Sequence, residues 1–143
     1  MPKDIQYKYA GIKYQAGNTG FMETITIEII GRYWMGLFGK HNRFKGQIMI
    51  DDLTLDYTNM ILLLEDNSAS LDIGVYGHSS TYGHIYISNI FEKVTILKYE
   101  QGQNGTGGWN GENGWLISAP CNTRSEAVRL TNEMIPNYWS AIK

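Results

Sequence analysis

The stretch Trp115-Leu116-Ile117-Ser118-Ala119-Pro120-Cys121-Asn122-Thr123-Arg124-Ser125-Glu126-Ala127-Val128 passes from strand-like to helix-like patterning, and the fold is read outward from it. Trp115 to Ala119 is a short apolar strand. Thr123-Arg124-Ser125-Glu126 has the spacing of a capping box, in which the threonine hydroxyl accepts from an orphan backbone N–H and the glutamate reaches back towards the cap. Apolar residues then recur at Ala127, Val128, Leu130, Met134, Ile135, Tyr138, Trp139 and Ile142, close to the helical period. Pro136 crowds the carbonyl of Asn132, so the helix kinks or stops near Met134. Nearly everything upstream alternates like strands, and this helix is expected to lie on a sheet or close one end of a barrel.

Residues 4 to 15 alternate through Ile5, Tyr7 and Tyr9, then through Ile12 and Tyr14 after a break at Ala10-Gly11. They predict an N-terminal strand or arm, turned by Gly17-Asn18-Thr19-Gly20. Ile25, Ile27 and Ile29 against Thr24, Thr26 and Glu28 mark a half-buried strand. Phe44 to Ile50 forms another, and Leu53, Leu55 and Tyr57 alternate after it. The unbroken run Met60-Ile61-Leu62-Leu63-Leu64 predicts a strand covered on both faces or a short buried helix. Further strands carry Leu71, Ile73 and Val75, then Ile85 and Ile87 with Tyr82, His84 and Tyr86 opposite, then Val94 to Tyr99. The expected fold is therefore mainly β, with about seven or eight antiparallel strands in a bent sheet or small barrel closed by one C-terminal helix. It forms a single domain over 1–143, with an N-terminal strand or arm at 1–20, the sheet or barrel at 22–119 and the helix at 123–142.

At 143 residues one hydrophobic core is sufficient without metals or disulfides. The single cysteine, Cys121, forbids an intrachain disulfide and fits a reducing compartment. The N-terminus has no apolar signal region, and the longest apolar run is too short to cross a bilayer. A soluble, cytoplasmic protein is the expectation. The formal net charge of −2 conceals an asymmetry along the chain. Residues 1–45 hold Lys3, Lys8, Lys13, Arg32, Lys40, Arg43 and Lys45 against Asp4, Glu23 and Glu28. Residues 46–91 hold Asp51, Asp52, Asp56, Glu65, Asp66 and Asp72 and no Lys or Arg. Either a basic end opposes an acidic flank, or interleaved strands mix the two.

No catalytic constellation emerges. Asp51 and Asp52, adjacent on a strand, point to opposite faces, and solvated turn acids are the better account of them. His78 and His84 lack a cysteine cluster or a His-Glu-x-x-His helix. Ser79 and Ser80 lack a nucleophile elbow. Cys121 precedes a helix but has no paired histidine, which favours an inert thiol. No metal site and no cofactor is expected. The glycine-rich stretch 102–114 lacks the Gly-Lys-Ser/Thr ending of a P-loop and leads into a strand, so it is no phosphate cradle. It is expected to be a mobile surface loop. Trp115, in phase with Ile117, belongs to the core on this pattern, while Trp109, in a polar loop with Asn110, is either a contact candidate for a sugar, a base or a protein pocket, or an aromatic folded back onto the barrel. The basic, aromatic segment Gly31 to Lys45 contains Trp34 and Phe38 together with Lys40, His41, Arg43 and Lys45.

The strand count from Met22 onward, this basic aromatic loop and the terminal helix together resemble a pleckstrin-homology-like domain, including bacterial and GRAM-type relatives, over residues 22–143. The resemblance implies a bent antiparallel barrel whose open end is plugged by the helix. It also implies an anion-binding set of Lys40, His41, Arg43 and Lys45 for phosphorylated headgroups, although the family's tight basic spacing is absent. The expected function is a non-enzymatic binding module of adaptor, inhibitor or immunity type, with a protein partner held by Trp109, Asn110, Trp34 and Phe38. Anionic phospholipid headgroup binding through 40–45, glycan binding through the Trp109 loop, and an unrecognised small enzyme are the alternatives. The acidic balance disfavours a nucleic-acid footprint.

Overall fold

The computed structural model describes residues 2–75, 78–101 and 107–143, and the side chains of these other than 39, 73–75, 78–80, 101, 107 and 108. Among the described residues eleven strands and one α-helix follow in order: β1 (Pro2–Gln15), β2 (Asn18–Trp34), β3 (Asn42–Ile50), β4 (Leu53–Asp56), β5 (Leu62–Leu64), β6 (Ser68–Val75), β7 (His78–Ser88), β8 (Lys93–Lys98), β9 (Glu100–Gln101), β10 (Gly107–Gly108), β11 (Trp115–Ala119) and α1 (Arg124–Met134). Nine strands form one antiparallel sheet in the order β4-β3-β2-β1-β11-β8-β7-β6, with β5 also paired to β3; β9 and β10 make a separate ladder. The expectation of a mainly β chain with a C-terminal helix holds. The sheet is not closed into a barrel.

Residues 2–15 are no peripheral arm. β1 pairs with β2 along its whole length and with β11 through Ile12↔Ser118 and Tyr14↔Leu116, so it lies in the middle of the sheet. The break at Ala10-Gly11 does not interrupt the strand; it changes which face is buried. Ile5, with Tyr7 and Tyr9, belongs to a large inner core. Ile12, Tyr14 and Ala16, on the opposite face, belong to a second core. Gly11 lies so close to Ser118 O and the Ala119 methyl that a Cβ there would collide with both.

The inner core gathers Ile25, Ile27, Ile29, Ile48, Leu55, Leu62, Leu64, Leu71, Ile85, Ile96 and Ile117. It takes Leu55 from one end of the strand order and Leu71 from the other, so the sheet must curl around it. Gly31 and Gly46 face each other across β2 and β3. A Cβ on Gly46 would meet Ile30 O and the Gly31 Cα, and this close approach permits the bend. Phe91 drives the β7–β8 turn into the same core. Its ring meets Phe44 at 5.1 Å and Tyr33 at 5.9 Å, and its carbonyl accepts from Tyr9 OH at 2.8 Å. Asn89, Ile90 and Phe91 all have positive φ, a strain that full burial of the phenyl ring offsets.

The helix begins as its capping box requires. Thr123 Oγ1 accepts from Glu126 N at 3.1 Å, while Glu126 Oε2 accepts from Asn122 N, one residue before the cap, at 2.9 Å. It ends at Met134, and not at 142. It does not plug an open end. It lies on the outer face of the sheet, where Ala127 and Ile135 join Ile12, Tyr14, Leu97, Leu116 and Cys121 in the second core. Leu130 is buried and Met134 half-buried, and neither shares the inner core with the strand isoleucines. The side chain of Ile73 lies outside the described residues. Between helix and sheet runs a buried row of hydroxyls. Tyr14 OH donates to Thr131 Oγ1 at 2.6 Å, Thr131 bonds Ser118 Oγ at 2.8 Å, and Ser118 bonds Thr95 Oγ1 at 2.8 Å.

Candidate functional site: an amphiphilic hairpin tip and an aromatic cleft

The β2–β3 hairpin brings most of the sequence-predicted contact residues together. Along β2, Ile29 and Tyr33 point inward, so Ile30, Arg32 and Trp34 point outward; along β3, Asn42 and Phe44 are buried while Arg43 and Lys45 are exposed. The register Trp34↔Arg43↔Leu63 aligns an indole, a guanidinium and a leucine across three strands. Arg43 lies over the Trp34 ring at 5.9 Å, a cation–π contact. The connection contains a 3-10 turn, Leu37–Gly39, fixed by Gly36 N donating to the buried Asn42 Oδ1 at 2.8 Å. At its apex Leu37 and Phe38 are 80% and 90% exposed, and Met35 is exposed beside them. Phe38 and His41 have φ of 58° and 57°, sparsely populated for large residues.

The charges on this tip are arranged unevenly. Arg32 Nε is 2.9 Å from Asp4 Oδ1, and His41 Nδ1 is 2.6 Å from Glu65 Oε1. Among the described residues, no carboxylate is within salt-bridge distance of Lys40, Arg43 or Lys45. The four residues expected to hold an anion thus divide: His41 is engaged by Glu65, and the other three cations face outward.

The run Met60 to Leu64 is not covered on both faces. Leu62 and Leu64 enter the inner core, while Met60, Ile61 and Leu63 are exposed. β5 is an edge strand, and its outward residues join the hairpin surface through Leu63 beside Arg43. Spacing did not reveal this, because an unbroken apolar run looks the same on an edge as in the middle of a sheet. Met35 and Leu37 were likewise missed as contact residues, although they stand in the same basic aromatic stretch.

Trp109 and Asn110 lie elsewhere, on the helix side of the sheet. Of the expected mobile loop, residues 102–106 lie outside the described residues. The remainder is built: β10 pairs with β9, and Trp109 folds back onto the second core. Its Nε1–H donates to Trp115 O at 2.9 Å, and its ring rests against Gly114, where a Cβ would clash. Asn110 Oδ1 caps the turn by accepting from Glu112 N at 2.7 Å. Trp115, expected in the core, is only half-buried. It meets Phe21 edge-on at 5.0 Å and donates from Nε1 to Glu100 Oε1 at 2.6 Å.

After the helix the chain doubles back. Asn132 exchanges two hydrogen bonds with Ile142 at 2.8 and 3.1 Å, and Arg124 Nη2 donates to Gln15 O at 2.9 Å and Lys143 O at 3.1 Å. The Arg124 guanidinium also covers the Tyr14 ring at 5.2 Å. Between this tail and the Trp109 turn opens a cleft of about 930 Å³, floored by Leu97 and Ile142 and walled by Tyr99, Trp109 and Trp139. The two indoles stack at 6.1 Å and 26°. Tyr86 meets Trp139 edge-on at 6.2 Å, and His84 meets Tyr86 at 5.0 Å. Burial pulls His84 below the usual imidazole range and raises the Tyr86 hydroxyl, whose neighbours Tyr138 and Tyr99 add to the effect.

Asp51 Oδ1, in the turn after β3, accepts from Thr26 N on β2 at 2.8 Å, and Asp56 Oδ1 accepts locally from Thr58 N at 3.0 Å. Burial pushes the Cys121 thiol up to about 11, and its Sγ–H donates to Ser118 O. The side chains of His78, Ser79 and Ser80 lie outside the described residues. Among the described residues no three His, Cys, Asp or Glu side chains converge as metal ligands, and no helix is long and apolar enough to cross a membrane. The chain matches no protein-family model, and no curated protein and no solved structure is similar to it.

Proposed function

We propose that this protein is a non-enzymatic binding module whose contact surface is the tip of the β2–β3 hairpin, and that its occupant is a protein partner. The observation that carries this is the apex, where Leu37 and Phe38 are almost fully exposed on a turn held by a buried asparagine. Large apolar groups on a fixed turn lose little conformational freedom on docking. Trp34 and Arg43, stacked on each other, belong to the residue types that most often dominate interface energies. The uncompensated Lys40, Arg43 and Lys45 form a cationic rim around an apolar centre, the usual anatomy of a recognition patch. They call for an acidic border on the partner.

A second reading rests on the same apex. Apolar side chains projecting beyond a set of cations also suit insertion into an anionic bilayer, with the cations at the phosphate level. This keeps alive the headgroup binding implied by the resemblance to pleckstrin-homology-like domains.

The test is a paired assay of wild type and the Leu37→Ser/Phe38→Ser variant. Immobilised protein is exposed to host extract, and free protein is sedimented with phosphatidylglycerol vesicles at low and high salt. A saturable protein partner lost in the variant, with the melting temperature unchanged, supports the leading reading. Salt-sensitive vesicle binding without such a partner transfers the tip to the lipid reading. Equal behaviour of wild type and variant in both arms overturns the tip as the functional surface.

A further inference from the structure

We infer that the cleft between the Trp109 turn and the C-terminal tail is a second binding site, and that it takes a neutral carbohydrate, a pyranose ring packed against the stacked pair of indoles, Trp109 and Trp139. The site is preformed. Trp109 is fixed by its bond to Trp115 O and by contact with Gly114, and the opposite wall is tied down by the paired Asn132–Ile142 bonds and by Arg124 on Lys143 O. A concave, mostly apolar space of this size, with few polar groups at its border, is what small ligands occupy.

The choice of ligand class follows from the chemistry of the lining. Among the described residues its charged side chains are Glu112 and Lys143, one of each sign, so these side chains select for neither an anion nor a cation. Aromatic faces offer apolar contact to the C–H face of a sugar ring. Tyr99, on the lining, brings a neutral hydroxyl donor and acceptor to the cleft. Ser140 supplies one more on the lining. A neutral ring with an apolar face and a hydroxylated edge matches this pairing of aromatic faces with uncharged hydroxyls. A quaternary ammonium would match the aromatic walls alone, and a sulfated sugar would match only Lys143.

The experiment is an amide and indole N–H shift titration of the intact chain with chitotetraose, cellotetraose and maltotetraose, with choline and a heparin tetrasaccharide as charged competitors. The expected result is a saturable shift for at least one neutral sugar, with a Kd below about 1 mM. It should centre on the Trp109 indole, Gly111 and Ser140. Trp139→Ala should weaken that affinity roughly tenfold or more. Ser140→Trp, which narrows the cleft without removing any buried group, should do the same at an unchanged melting temperature. No saturable shift with any neutral sugar, tighter binding of choline or the heparin fragment, or shifts centred outside the cleft would each overturn the assignment. The outcome is independent of the hairpin tip, since none of its residues lines this cleft.

Discussion

Replacing Thr131 by valine changes one buried atom from oxygen to carbon, and the structure sets the expected cost. Thr131 is fully buried, and its Oγ1 accepts from Tyr14 OH at 2.6 Å while sharing a hydrogen with Ser118 Oγ at 2.8 Å. Valine fills almost the same volume, so little cavity arises. The loss lies in the bonds. Ser118 keeps its link to Thr95, but Tyr14 OH is left buried with no acceptor, at about 1–3 kcal/mol beyond the ordinary net value of a hydrogen bond. The single substitution should therefore cost about 2–4 kcal/mol. Tyr14→Phe alone should cost only about 1 kcal/mol, because Thr131 retains Ser118. In the double variant the orphan donor is gone, so its cost should fall short of the sum by about 1–2 kcal/mol. Urea unfolding followed by far-ultraviolet circular dichroism, analysed as a double-mutant cycle, measures this. A Thr131→Val variant within about 0.5 kcal/mol of wild type, or a strictly additive cycle, would refute the view that this hydroxyl row holds the helix to the sheet.

Trp109→Ala should lower the melting temperature at least as much as Trp115→Ala, with a cost of about 2 kcal/mol for a half-buried, hydrogen-bonded indole; thermal unfolding of the two variants decides it. Cys121 should react with a disulfide reagent near pH 8 far more slowly in the folded protein than in urea, since burial raises its thiol to about 11 and only the thiolate attacks. Its folded value lies above the 9.0 of an unburied thiol, so its contribution to stability is complete below 9.0 and fades as pH rises through about 11. For His84 the shift is opposite, because burial lowers it below 6.5. Stability should fall as pH drops from 6.5 towards the folded value, and His84→Phe should flatten that slope in urea midpoints measured across the range. Gly46→Ala should destabilise strongly, because its Cβ would meet Ile30 O at the bend of β3; equilibrium unfolding checks this.

The β content and the helix cap were legible because period and capping chemistry are local. So was the phase change at Ala10-Gly11, but its meaning was not. Alternation shows which residues share a face and says nothing about whether that face is covered by the sheet's own curl or by a helix more than 100 residues away. The same limit applies to α1, where the apolar stripe was visible while Thr131, a polar residue at its buried centre, was not. Thr131 is justified only by partners on β1 and β11. At the hairpin tip, composition identified Trp34, Phe38 and the cations correctly as neighbours, since they are close in sequence. Leu63 enters that surface only through its pairing with Arg43 on β3. Trp109 looked like a free anchor because glycines surround it. The acceptor that fixes it, Trp115 O, is a backbone atom, which no side-chain pattern can advertise.

The place of β1 has a kinetic consequence. As the chain leaves the ribosome, β1 to β4 can zip into a meander at once, each strand beside the last. The other edge of β1 at residues 12–15 then stands open until Ile12 meets Ser118 and Tyr14 meets Leu116 on β11, far downstream in the chain. Closing so long a loop late is slow, and an unpaired edge in the interval is a template for pairing with another chain. Refolding from dilute solution should therefore succeed where refolding at high concentration aggregates. The tight turn at Cys121, whose backbone N–H donates to Ala10 O, is the clasp that finally joins the two halves.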